Sequence, residues 1–235
     1  MALLADSAAE GAPDLVAEGM ATSKASLLAE TISKMKVGGD AKSASIIATK
    51  GMGSFSMLGN FQNSSMFSEG NIKAVKVAGK MVSDDPNNPS TITARNKLNV
   101  LIVNGDVEHA QILVGYNKDE QPVNPDAHIG RVLVKGDWIA SSLVAGVADV
   151  TNDGFGGNDA VIAGDTTPDV LSRIASVVIK GNASGSITAG DQYGITAQAI
   201  GKLTIAGTAV DLDPDGIDNI LLDDTNNDFR VVEIG

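Results

Sequence analysis

The sequence predicts an all-β chain, a right-handed parallel β-helix (β-solenoid) with coils of about 20 residues and loop inserts on the later coils. Three observations carry that expectation. An apolar spacing returns along the chain, a Gly follows each copy at the same offset, and aliphatic residues abound where aromatics are scarce. Of 235 residues, 43% are hydrophobic but only 3% aromatic, which suits thin stacked layers of Val, Ile, Leu and Ala. The 26 Gly against 7 Pro suit many tight turns between short strands.

Each copy reads apolar, two spacers, apolar, one spacer, apolar, then Gly two residues on. The copies are Ile32-Met35-Val37-Gly39, Met52-Phe55-Met57-Gly59, Ile72-Val75-Val77-Gly79 and Leu98-Leu101-Val103-Gly105. Ile129-Val132-Val134-Gly136, Ile174-Val177-Ile179-Gly181 and Ile200-Leu203-Ile205-Gly207 follow, and a weaker early copy lies at Leu15-Ala17-Gly19. The last apolar pair alternates with its spacer, a strand signal of period two. The Gly is read as a tight bend at positive φ.

A second short strand is expected after each Gly: 45–48, 65–68, 91–94, 111–114, 142–145 and 186–189. Its second residue is large and aliphatic and its fourth mostly Ala, so large and small side chains share a layer. One repeat cannot bury its apolar face, but parallel stacking about 4.8 Å apart buries both neighbours. Parallel crossovers are right-handed in about 98% of cases, which sets the hand. The inward set is then Met35, Val37, Ile46, Val75, Val77, Ile92, Leu101, Val103, Ile112, Val132, Val134, Leu143, Val177, Ile179, Leu203 and Ile205. A leucine-rich repeat would need an Asn ladder and a helical half-repeat, and a β-sandwich would not return the same columns.

Successive marker Gly residues lie 20, 20, 26, 31, 45 and 26 residues apart. The excess falls in inserts at 84–89, 115–128 and 146–173, and lengthened turns of neighbouring coils tend to gather on one side. The expected organisation is a partial coil or cap at 1–31, repeats at 32–207 and an acidic closing segment at 208–235. The array is read as already in phase at Gly19, and the N-terminus lacks the basic and apolar regions of a secretory signal.

Two acidic loops point to calcium, a hard cation that takes six to eight oxygens. Asp211, Asp213, Asp215 and Gly216 start like an EF-hand loop and are followed by Asp218 and Asp223, but the twelfth position is Leu222 rather than Glu. Asp149, Thr151, Asp153 and Gly154, with Asp159, start the same way, and there the twelfth position is Ala160. Neither is an EF-hand; both suit irregular calcium loops, and both also suit solvated acidic turns. Asp224, Asn226 and Asp228 form a weaker third set without the Gly.

Asp40, Asn60, Asp106, Asp137 and Asn182 follow the marker Gly, where their side chains bond turn backbone; Asp106 and Asp137 as a catalytic pair is the lesser reading. His109 and His128 are read as surface residues, and Trp138 as corner packing rather than a sugar platform. Cys is absent, which excludes disulfides and thiolate chemistry, and no apolar run is long enough to span a membrane. Net charge is −12, with 14 acidic against 4 basic side chains in 149–235, which disfavours nucleic acid and attracts cations.

The segment 134–146, Val-Lys-Gly-Asp-Trp-Ile-Ala-Ser-Ser-Leu-Val-Ala-Gly, is similar to repeats of large bacterial secreted or surface proteins, and 191–207 looks like their C-terminal repeats. The resemblance implies a structural or adhesive extracellular role and transfers no catalytic residue. The expectation is a non-enzymatic module of a larger surface protein or fibre. Its partners would be its own ends, neighbouring repeats, or a glycan or surface polymer. The rival is a polysaccharide lyase or hydrolase on the same scaffold, which rests on fold analogy alone.

Overall fold

The structure is a computed structural model; it describes residues 2–4, 14–17, 25–167, 169–187, 190–213, 217–223 and 228–235, with the backbone alone at 2–4, 14–17 and 223. The chain is all-β, with no helix among the described residues and one large, mostly parallel sheet of 17 strands. A six-stranded parallel sheet and a two-stranded antiparallel pair complete it.

The large sheet contains two parallel ladders. The first comprises 31–37, 51–57, Asn71–Val77, Lys97–Val103, His128–Val134, Arg173–Ile179 and Ala199–Ile205. Its register follows the sequence columns without a slip: Met35 pairs with Phe55, then Val75, Leu101, Val132, Val177 and Leu203. A one-residue slip would turn each apolar column outward, so burial itself fixes the pairing. Of the sixteen expected inward residues, fifteen are buried; Ile205, on the last strand of the ladder, is half-buried.

The second ladder runs through 26–29, 45–48, Ser65–Ser68, Ser90–Ala94, Ala110–Val114, Ser142–Ala145, Tyr193–Ala197 and Phe229–Glu233. Here the sequence reading needs one correction. Leu143 pairs with Ile195, not with Ile187, which is 98% exposed. After its earlier use at 92–94, the motif Ile-Thr-Ala returns at 187–189 and at 195–197, and of these two copies the second takes the ladder. The strand Ser26–Val37 belongs to both ladders and runs across position 31, while Phe229–Glu233 continues the second ladder inside the acidic closing segment.

The six-stranded sheet is a third ladder of two-residue strands just after the marker Gly: Ala41–Lys42, Phe61–Gln62, Met81–Val82, Val107–Glu108, Trp138–Ile139 and Ala183–Ser184. Two residues are too few to show a period, so the sequence did not separate this ladder from the turns. Its inward column, which includes Phe61, Met81, Val107 and Trp138, joins the other two ladders in a single apolar cluster.

The marker glycines also require correction. Gly39, Gly59, Gly79, Gly105, Gly136 and Gly181 do not have positive φ; among the seven markers of the main copies only Gly207 does, at 79°. Gly59, Gly79, Gly105, Gly136 and Gly181 are glycines because the preceding repeat comes too close, whereas a Cβ at Gly39 would meet nothing within 4 Å. A Cβ at Gly59 would stand 2.1 Å from Asp40 Oδ1, and one at Gly181 2.2 Å from Asp137 Oδ1. Their amides form a ladder of their own, Gly59 N–H to Gly39 O at 3.1 Å and onward to Gly181 N–H on Gly136 O at 3.0 Å.

Candidate functional site

The longest insert, 146–173, is built on a small core of its own. The outward column of the second ladder carries Leu113 and Val144, which Tyr116, Val147, Phe155 and Ile162 cover. Tyr116 meets Phe155 edge to face at 6.4 Å, and its hydroxyl donates to Val147 O at 2.5 Å. Burial, with Asp159 and Asp149 nearby, pushes the Tyr116 phenol far above its usual pKa, so it stays a neutral donor. Gly154 (φ 98°) and Gly156 (φ 108°) lie against Gln192 O and Tyr193 O, where no other residue fits. The neighbouring insert is tied in by Thr167 Oγ1, which donates to Asp126 Oδ2 at 2.6 Å.

This platform carries the second candidate calcium set. Asp149 turns both carboxylate oxygens into the loop: Oδ1 accepts from Thr151 N at 3.1 Å and Asn152 N at 2.7 Å, and Oδ2 from Gly154 N at 2.9 Å. Thr151 Oγ1 donates to Asp153 Oδ1. Asp159 Oδ2 accepts from Gly156 N at 2.7 Å, while its Oδ1 is a buried atom without a hydrogen-bond partner. Burial, opposed by the Gly156 N–H and reinforced by the negative charges of Asp149 and Asp153, raises the Asp159 pKa to about 6. The three carboxylates thus share one field, and Asp159 Oδ1 is left without a partner within it. The carboxylate of Asp149 already serves the backbone, as the turn reading expects.

In the C-terminal set, Asp211 and Asp213 are exposed and Asp218 is half-buried. Asp215, Asp224 and Asn226 lie outside the described residues, and so does the side chain of Asp223. Asp218 Oδ2 accepts from Asp213 N at 2.7 Å. The sequence reading missed Glu233, which is buried beside this pair. It stands in the inward column that holds Ala197 and Ala145 one and two strands earlier. Its Oε1 accepts the Ile200 N–H, and burial followed by the nearby Asp218 and Asp213 pushes its carboxyl up. Extending the column by one strand would have found it. Asp228, from the weaker third set, is buried with Oδ2 accepting from Ser186 N at 2.8 Å. Among the described residues, no three His, Asp or Glu are grouped to hold a metal ion.

The turn carboxylates bond backbone, as expected, but the backbone of the following repeat. Asp40 Oδ1 accepts from Asn60 N at 2.6 Å, Asn60 Oδ1 from Lys80 N at 2.8 Å, Asp106 Oδ1 from Asp137 N at 3.0 Å, and Asp137 Oδ1 from Asn182 N at 2.8 Å. Lys80, the cation in that column, pairs with Asp106 at 2.7 Å. Trp138 is fully buried and donates from Nε1 to Ser141 O at 2.8 Å, so it is no sugar platform. His109 and His128 are half-buried rather than fully on the surface. A polar groove of about 540 Å³ lies along the 84–89 insert, lined by Ser43, Asn63, Ser83, Asp84, Thr91 and Glu120 among others. The Asn63 and Gln62 amides bind the Asp84 carboxylate and hold its pKa down.

No helix among the described residues is long and apolar enough to cross a membrane. No family model, curated protein or solved structure matches the chain.

Proposed function

We propose that the chain is a non-catalytic structural or adhesive module, a right-handed parallel β-helix belonging to a bacterial extracellular or cell-surface protein or fibre. The observation that carries this reading is the unbroken register from Met35 to Leu203 through seven parallel strands. Right-handed crossovers are the rule for such connections. Its polar side chains support the same reading, because Asp40, Asp106 and Asp137 bind the next repeat rather than converge on a cleft.

Association end to end follows from the strand edges. Among the described residues, the final strand of the first ladder, Ala199–Ile205, pairs on its outer side with Thr208–Ala209, opposite Thr204 and Ile205, while Leu203 O accepts the Val210 N–H and Glu233 holds the Ile200 N–H. No further strand covers this edge among the described residues, so its remaining backbone groups offer ladder hydrogen bonds to another chain. Calcium stiffens the loop of Asp149, Asp153 and Asp159, and the acidic closing segment with Asp211, Asp213 and Asp218. Sedimentation over a range of concentrations tests the assembly: species that grow with concentration are expected. A monomer at every concentration would overturn it.

A further inference from the structure

The bases of this acidic chain are not spread evenly. The seven strand segments of the first ladder carry Lys36, Lys76, Lys97, Arg131, Arg173 and Lys202, with Lys34 and Lys73, and not one Asp or Glu. Asp14 stands one strand earlier, in register with Lys34. The six alternate with the buried columns and face outward, five exposed and Lys97 half-buried. Ion pairs occur off this face: Lys50 with Glu30 at 2.9 Å, Lys80 with Asp106, Arg95 with Glu69, and Lys118 with Asp119 at 2.5 Å. The six face bases make no ion pair with any described residue.

Their arrangement is unfavourable for the chain alone. Lys97, His128 and Arg173 stand in direct register on three consecutive strands. Such neighbours lie about 4.8 Å apart, and like charges opposite one another destabilise a sheet. Burial first, then Lys97 and Arg173, lowers the His128 pKa. In the next outward column Arg131, Ser176 and Lys202 follow one another. The chain has 29 acidic side chains and places none here. Between the bases lie Ser56, Ser176 and Thr204 and the aliphatic Ile102, Leu133 and Val178.

We propose that this sheet face binds an anionic polysaccharide laid along the stacking direction, with its acidic groups on Lys97, Arg131, Arg173 and Lys202. A row of cations without a cavity suits an extended polyanion rather than a small molecule. One strand spacing is close to the length of one pyranose unit, so successive acidic sugars meet successive strands. The two guanidinium groups take carboxylate or sulfate in bidentate pairs. Phe55, the aromatic in these segments, is turned into the core, so the face has no ring on which a nucleobase could stack. The proposal rests on the adhesive reading above and names the partner for it.

The test measures binding of alginate, dextran sulfate and neutral dextran to the full chain, in chelator so that calcium cannot bridge sugar carboxylates to the acidic loops. Wild type is expected to bind one or both polyanions, and not neutral dextran, with affinity that falls as salt rises. Alginate against dextran sulfate tells carboxylate from sulfate. The triple variant K97Q/R131Q/R173Q is expected to lose roughly tenfold or more in affinity with an unchanged or higher melting temperature, because it removes repulsion. The off-face variant K42Q/K118Q is expected to bind like wild type. Equal binding by the triple variant, no binding of either polyanion, or equal affinity for duplex DNA would overturn the proposal. Sedimentation of the same samples without glycan reads the assembly separately. Salt-sensitive self-association that the triple variant abolishes, without glycan binding, would assign the face to a second copy of the chain.

Discussion

Asp106 reaches into the space that a side chain at Gly136 would need. Its Oδ1 lies 2.1 Å from where a Cβ would stand there, and it accepts the N–H of Asp137 at 3.0 Å. Glycine in one repeat and carboxylate in the previous one are therefore a single device, repeated at Gly59 with Asp40 and at Gly181 with Asp137. Gly136→Ala is expected to cost about 1–3 kcal/mol by forcing the turns apart. Asp106→Ala is expected to cost about 1–2 kcal/mol through the lost Asp137 bond and the Lys80 pair. The double variant should recover only part, since Gly105 C also lies 2.7 Å from that Cβ. Urea unfolding of the three variants checks this.

The Asp106 carboxyl is held below its usual range by Lys80 first and then by the Asp137 N–H. A group with a depressed folded pKa stabilises above its unfolded value and loses that effect as pH falls through the folded value. Wild type should lose its stability advantage over Asp106→Asn as the pH drops below about 4, and the two urea midpoints should converge there. A constant difference between pH 3 and pH 7 would show that the carboxylate charge plays no part.

The choice between the two Ile-Thr-Ala copies is testable directly. Ile195→Asp puts a carboxylate into a fully buried position and should cost several kcal/mol, as should Val134→Asp. Ile187→Asp, at an exposed position, should stay within about 0.5 kcal/mol of wild type. The opposite ranking would restore the register with 186–189 in the ladder.

The long apolar columns were legible in the sequence because burial makes register a matter of side-chain identity, as at Val75, Leu101 and Val132. The choice of Ile195 over Ile187 was not legible, because both copies carry the same three residues and only the length of the preceding loop separates them. The reason for the marker glycines was hidden as well: a Gly needed for close approach reads like a Gly needed for positive φ. For the candidate site, spacing singled out Asp149, Asp153 and Asp159, which lie in one loop but are not grouped to hold a metal ion among the described residues. Glu233 escaped because it stands 36 residues after Ala197, its ladder neighbour, across a segment where the repeat pattern fades.

Glu233→Gln should stabilise the protein at neutral pH. Gln keeps an acceptor for the Ile200 N–H and removes a buried charge beside Asp218. Since the folded carboxyl is raised above its ordinary 4.5, wild type loses stability as pH rises from that value through the folded one. The urea midpoints of wild type and variant should meet in acid and separate towards pH 7. A variant less stable than wild type at pH 7 would mean that the carboxylate is held by a cation or donor there.

Calcium on the proposed loop would compete with a proton at Asp159. Its pKa is about 6 against an ordinary 3.8, so between those values the unfolded chain ionises while the folded one keeps its proton. Stability contributed by this group therefore falls as pH rises from about 4 to about 6, and the cost persists above. A cation on the loop would reverse that, because it favours the carboxylate and binds the folded state alone. Millimolar calcium is expected to raise the melting temperature at pH 7 and chelator to lower it, with a smaller effect at pH 5. Asp159→Asn together with Asp153→Ala should remove that loop's share, and Asp213→Ala together with Asp218→Ala the share of the C-terminal segment. Magnesium should substitute poorly, since it demands a tighter octahedral shell and gives up water reluctantly. Identical melting curves of metal-free protein with calcium and with chelator would leave both segments as acidic turns, with Asp149 capping its own backbone and nothing more.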